Sequence, residues 1–269
     1  MHPDPLFKIF GMGVHPYGIF IGIGILCCLI VFFTYTKKFG MPSKVQDLAF
    51  YSAIAAIVLG FLGAKFAQAL YVWFTTGVFN FKQSGFTAMA GFIAGALIFV
   101  AFYFGLGKLL FKGENKGLHL KHFNTMARVA GCCIAIAHAF GRIGCLMAGC
   151  CHGAYLGANP TFGGIFMETP DKGSGYFVPT QLYEAVFLFI TFAILSVLYF
   201  KRSNIVHVFY LFLYGAWRFV IEFFRKDDRG FFLGLYPSQW TSILFILAGI
   251  VILIIFKKKK IPFVLSKKE

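Results

Sequence analysis

Seven stretches of the chain are almost continuously apolar, at about residues 17–36, 48–74, 86–107, 123–148, 181–200, 206–224 and 238–256. Each is close to or above the ~20 residues with which a helix crosses the hydrocarbon of a bilayer. The pattern predicts an all-α integral membrane protein, a single polytopic domain over residues 1–269 with about seven transmembrane helices. The longest polar break, about 149–180, is rich in Gly and Pro and too polar to cross. It is the natural place for an outer cap over a cleft that faces lipid. The first apolar run follows a segment containing His, Pro and Gly and is long enough to span, so it reads as a retained helix and not as a cleaved signal.

Composition removes the soluble alternatives. The chain is 59% hydrophobic and 13% charged, against about 45–50% and about 25% in a soluble domain. Its 37 Phe exceed what an interior of this size encloses, so many rings are expected to meet lipid. Charge sets an orientation. Of 25 Lys and Arg, fifteen fall on one side, around Lys37, Lys38 and Lys44, from Lys108 to Lys121, at Lys201 and Arg202, and in the tail from Lys257. Six fall on the other: Lys8, Lys82, Lys172, Arg225, Lys226 and Arg229. The positive-inside rule then predicts the N-terminus outside and the C-terminus in the cytoplasm. The lysine tail reads as a topology signal that touches anionic headgroups, and no nucleic-acid partner is expected. The seven Cys include the pairs Cys27-Cys28 and Cys132-Cys133 inside apolar runs, which read as buried thiols.

Four cations remain inside spans: Lys65, Arg128, Arg142 and Arg218. A cation at the bilayer centre costs at least ~2.5–3.5 kcal/mol, so these should line a wet or paired interior. Arg128, about a turn inside its span, has the alternative of snorkelling to a headgroup. In the sixth span Tyr214, Arg218, Glu222 and Arg225 recur every three or four residues and form one polar helical stripe. Glu222 partly neutralises that stripe and leaves positive charge for an anion, and guanidinium suits phosphate because it donates two parallel hydrogen bonds. In the fourth span His138 and Arg142 are four apart, ahead of the small-residue run Gly141-Arg142-Ile143-Gly144-Cys145 to Gly153. Arg142 and Arg218 are expected to converge on one cavity open to the outer leaflet.

With His15-Pro16-Tyr17-Gly18, the GRxG segment ending in Gly153, Pro179-Thr180-Gln181-Leu182-Tyr183-Glu184, and the stretch from Arg218 to Arg225, the chain resembles the prolipoprotein diacylglyceryl transferases along nearly its whole length. The resemblance implies an enzyme of the bacterial inner membrane. It would move a diacylglyceryl group from phosphatidylglycerol to the cysteine thiol of a prolipoprotein signal peptide, its lipobox Cys, and release glycerol phosphate, with no cofactor and no metal. Tyr17, Arg142, Gly153, Tyr214, Arg218 and Glu222 stand where the family has residues needed for activity. Arg142 is expected to hold the phospholipid, with Arg218, Lys65, Arg225 and Gly153 contributing to its site, and Lys65 stands where the family usually has Arg.

Three positions depart from the family pattern. Met89 takes the place of a His associated with deprotonation of the acceptor thiol, and Cys145 and Cys150 take the places of an Asn and a Glu. His138, His152 and His15 are the substitute proton acceptors. These departures leave open a related transferase with a different acceptor. They also leave open a membrane metal or redox protein built on Cys145, Cys150, Cys151 and His152, although a continuous helix would fan Cys145 and Cys150 about 140° apart, so that only a break near Gly149 gathers them. An anion transporter using Arg142 and Arg218 is a third reading, without inverted repeats to support it.

Overall fold

A computed structural model describes residues 5–9, 12–82, 85, 87–170, 172–225 and 233–265. Lys226, Arg229, Lys267 and Lys268, which entered the charge count, lie outside the described residues. The chain begins with a hairpin of β1 (Phe7–Ile9) and β2 (Met12–Val14). The helices are α1 (Pro16–Lys38), α2 (Ser43–Thr76), α3 (Ala88–Leu110), α4 (Leu118–Met147), α5 (Thr180–Phe200), α6 (Val206–Ile221) and α7 (Pro237–Lys258). A 3₁₀ turn over Glu222–Phe224 extends α6. Among the described residues, seven helical segments are long and apolar enough to cross a membrane.

Local chemistry sets several ends. Gly77 closes α2 in the left-handed conformation, its N–H donating to Trp73 O at 2.8 Å, as a C-terminal cap does. Pro237 opens α7, and the Gln239 side chain accepts from the Tyr236 N–H at 3.0 Å, which satisfies a donor that the helix start leaves over. The outward faces are apolar: Phe61, Phe74, Phe92, Leu97 and Leu244 are all more than half exposed. In water such a surface would aggregate, whereas in lipid the helices need only satisfy their backbone internally.

The described residues form two compact units. One comprises residues 36–126, with α2, α3 and the start of α4. Here a Cβ on Gly60 would stand 3.2 Å from both Gly91 O and Gly95 Cα, so small residues let α2 and α3 approach closely. Lys65 belongs to this unit, its ammonium 5.4 Å from the centroid of the Phe81 ring.

The other unit comprises residues 1–35 and 127–269. Its α4 buries Val129, Cys132, Ala135, Ile136 and Ala139, a spacing of three and four that fills one helical face. Cys133 Sγ reaches Cys28 O at 3.5 Å, and α5 is tied to α1 by Tyr199 Oη donating to Tyr35 O and by Tyr35 Oη donating to Ser196 Oγ, each at 2.9 Å. Arg128 does not snorkel. It is fully buried, donates to Tyr199 O at 3.2 Å and lies 4.8 Å from the centroid of the Tyr199 ring, so packing against α5 replaces the headgroup as its partner.

The segment between α4 and α5 contains a three-stranded antiparallel sheet, with β5 (Gly173–Phe177) between β3 (Tyr155–Gly157) and β4 (Ile165–Thr169). Met167 and Phe177 of the sheet bury themselves against Leu146 of α4, with Leu182 of α5 alongside. The sheet is thus fastened to the two helix ends that carry the polar site.

Candidate functional site

Glu184, one turn into α5, is the hub of that site. It is 1% exposed. Its Oε1 accepts from Arg142 Nη2 of α4 at 3.0 Å and from Tyr214 Oη of α6 at 3.1 Å. Its Oε2 lies 3.8 Å from Arg218 Nη1, and His138 Nε2 is 3.8 Å from Oε1. Arg218 also pairs with Glu222 at 2.9 Å. Arg142 and Arg218, expected to converge, therefore meet on one buried carboxylate.

Glu184 received no role from the sequence. An acidic residue a turn into an apolar helix carries the same signal of a polar interior as the cations inside spans. The polar stripe is also shorter than a continuous helix would make it. Tyr214 and Arg218 lie on α6, Glu222 lies in the 3₁₀ turn, and Arg225 follows in extended backbone. Arg225 is buried and within electrostatic reach of Glu184.

Three guanidinium groups against the carboxylates of Glu184 and Glu222 leave the site with one net positive charge. Two donors are also left over. Among the described residues, Arg142 Nε and Arg218 Nη1 are buried and make no hydrogen bond. An unmet buried N–H costs about 1–3 kcal/mol, so these donors favour an oxygen-rich anion. The carboxylates hold the guanidinium planes in place, as a site that receives charge without reorganising requires.

Beside the arginines lies a cluster of thiols. α4 stops at Met147, and Gly149 and Cys151 adopt φ of 65° and 62°. This is the break that a continuous helix lacks. The Sγ atoms of Cys145, Cys150 and Cys151 all lie within 4.8 Å of one another. A non-glycine residue in this conformation costs about 1–3 kcal/mol, offset here by α5: Thr180 Oγ1 donates to Cys151 O at 2.9 Å and Gln181 Nε2 to Cys150 O at 2.7 Å. Hydrogen bonds from Cys145 and Cys150, and after them the guanidinium groups of Arg225 and Arg142, hold the Cys151 thiol well below the usual thiol range despite its burial. His152 is not part of this cluster. It is buried with its ring against Phe177, and its Nδ1 lies 3.0 Å from Gly153 O.

Two glycines admit no side chain here. A Cβ on Gly149 would meet Glu168 O, and one on Gly153 would stand 2.7 Å from Phe224 O and 2.9 Å from Thr180 Cγ2. Gly149→Ala combines that clash with a left-handed backbone and is expected to destabilise the chain by about 3 kcal/mol. Thermal unfolding in detergent measures this; an unchanged melting temperature would mean that the loop relaxes freely.

Tyr17 sits at the start of α1 against Gly144, where a Cβ would lie 3.2 Å from its ring. A cleft of about 590 Å³ opens there, lined by His15, Tyr17, Ala148, Cys150 and Pro170 among others. Lys65 lies in the other unit, and Met89 is in α3 with its side chain outside the described residues.

The sequence matches the prolipoprotein diacylglyceryl transferase family over residues 4–255. It is 32% identical over 263 residues to a phosphatidylglycerol–prolipoprotein diacylglyceryl transferase 2 of Clostridium perfringens, covering 94% of each chain. It is 31% identical to a phosphatidylglycerol–prolipoprotein diacylglyceryl transferase of Clostridium tetani, covering 95% of this chain and 98% of the relative. A similarly named protein of Dehalococcoides mccartyi is 30% identical, with 96% and 95% covered. With a family match along almost the whole chain and relatives matched over nearly their whole length, this multi-pass membrane protein belongs to the prolipoprotein diacylglyceryl transferase family.

Proposed function

We propose that the chain is an enzyme that transfers a diacylglyceryl group from phosphatidylglycerol to the lipobox cysteine thiol of a prolipoprotein, releasing glycerol phosphate. The reaction is placed at the outer leaflet of the bacterial cytoplasmic membrane, in one polytopic domain with the N-terminus outside, on the strength of the lysine and arginine count. The relatives' names supply both substrates. The observation that carries the chemistry is the pair Arg142 and Arg218, held on Glu184 with one buried donor left over on each.

In this reaction the acceptor sulfur attacks the glyceryl carbon, the carbon–oxygen bond to phosphate breaks, and the bonding pair leaves with the phosphate. Negative charge grows on that phosphate. Arg142 and Arg218 meet it with fixed donors, Arg225 adds to the positive field, and Glu184, Glu222 and Tyr214 hold the geometry. Tyr17 lines the cleft beside Cys150, and Gly153 joins the lipid site on the family pattern. Lys65 joins the lipid site on the family pattern alone. His138, against Glu184 and Tyr214, is the proton acceptor nearest the arginines, and His152 is the second candidate.

Membranes containing the chain, given labelled phosphatidylglycerol and a lipobox peptide, are expected to yield thioether-linked lipid, and a peptide with Ser for the lipobox Cys is expected to yield none. Lipid on an amine of either peptide would assign a different acceptor, the alternative that Met89 and the two cysteine replacements leave open. No lipidated product from either would withdraw the activity.

A further inference from the structure

We propose that Cys145, Cys150 and Cys151 form a three-thiolate zinc site whose open fourth position binds the acceptor thiol. The proposal rests on the transferase reading above and names the group that activates its nucleophile.

Tetrahedral zinc with bonds of about 2.3 Å places its sulfur ligands about 3.8 Å apart. The three Sγ atoms, all within 4.8 Å of one another, need only a small contraction to reach that geometry. Thiolates select zinc over hard cations, and three protein ligands with an exchangeable fourth position are the pattern of catalytic zinc, whereas structural zinc takes four. Thr180 and Gln181 hold the carbonyls of Cys151 and Cys150, so the turn that gathers the sulfurs is anchored from α5 as ligands are by their supporting hydrogen bonds.

Access and charge agree with a catalytic role. All three cysteines are partly exposed, and Cys150 lines the cleft beside His15 and Tyr17. Arg142 is within electrostatic reach of Cys145 and Cys151, so a metal-bound acceptor sulfur would lie near the guanidinium that meets the phosphate. A zinc ion with three thiolates carries one negative charge, or two with the acceptor bound, and Arg142 and Arg225 oppose it. The alternative of a thiol pair closing to a disulfide needs an oxidant and leaves the third cysteine unused.

On this route the step balances with water as the proton acceptor, and neither His138 nor His152 is needed as a base. As the acceptor sulfur binds zinc its S–H proton passes to water, because a coordinating thiol is deprotonated outright. A lone pair on that sulfur then forms the bond to the glyceryl carbon, and the carbon–oxygen pair departs with glycerol phosphate. The thioether product is a weaker ligand than the thiolate and leaves. This supplies the activation for which Met89 has no proton-accepting group.

The test is metal binding by the full chain in nanodiscs, with three readouts. Protein purified without chelator is expected to hold about one zinc per chain. Metal-free, reduced protein titrated with cobalt(II) is expected to develop a sulfur-to-cobalt charge-transfer band. That band should shift when a lipobox peptide adds a fourth thiolate, and should be lost in Cys145→Ser, Cys150→Ser and Cys151→Ser but kept in Cys27→Ser. No band in reduced wild-type protein, or ready closure of a disulfide among the three in place of metal uptake, overturns the site whether or not the variants fold. A band that ignores the peptide overturns the fourth position. Full transfer by metal-free protein overturns zinc and leaves the transferase standing, whereas a peptide-sensitive band without any lipid transfer keeps the metal and overturns the transferase.

Discussion

Glu184→Gln is expected to lower the transfer rate by about 10²–10³-fold, the loss typical when a preorganised electrostatic group is removed, with Glu184→Ala at least as severe. Neither guanidinium leaves the chain in these variants. What is lost is the anchor that aims them: Arg142, Tyr214 and Arg218 all converge on this carboxylate. Removing one partner from a buried ion network leaves uncompensated charge and costs about 3–5 kcal/mol in folding, so the alanine variant is also expected to melt earlier. Glutamine keeps the volume and one acceptor oxygen, which separates loss of aim from loss of fold. Transfer rate and thermal unfolding, measured on the same preparations in nanodiscs, check both. Near-normal transfer by Glu184→Gln would mean that the arginines are positioned without it.

Arg218→Lys is expected to be nearly as harmful as Arg218→Ala, again by about 10²–10³-fold. Arg218 spans two carboxylates, with Nη2 on Glu222 at 2.9 Å and Nη1 3.8 Å from Glu184, and Nη1 is one of the two donors left over. A lysine has one nitrogen on a flexible stem and cannot hold both partners while presenting a donor to phosphate. The exposed Lys201→Ala serves as the control and should transfer at the wild-type rate. Transfer by the lysine variant within a few-fold of wild type would show that positive charge alone suffices at this position.

The seven helices follow from the sequence because the physics that selects them is local. About twenty apolar residues satisfy their own backbone in lipid whatever their neighbours do. Arg142 and Arg218 were visible for a related reason: a charge in an apolar run is so costly that its presence announces a polar interior. Glu184 carried the same signal, but its role depends on Arg142, 42 residues earlier, and on α6, and no spacing rule links residues on three different helices. The burial of Arg128 likewise depends on Tyr199 of α5, which no local pattern places beside α4. The three-stranded sheet was hidden in a Gly-rich segment whose strands are three and five residues long, too short for alternation to stand out. The thiol cluster shows the division most sharply. Sequence supplied three cysteines and a glycine at the end of a helix. Only tertiary structure decided that Gly149 and Cys151 turn left-handed, because that conformation is unfavourable by itself and persists when Thr180 and Gln181, from the next helix, hold the turn from outside.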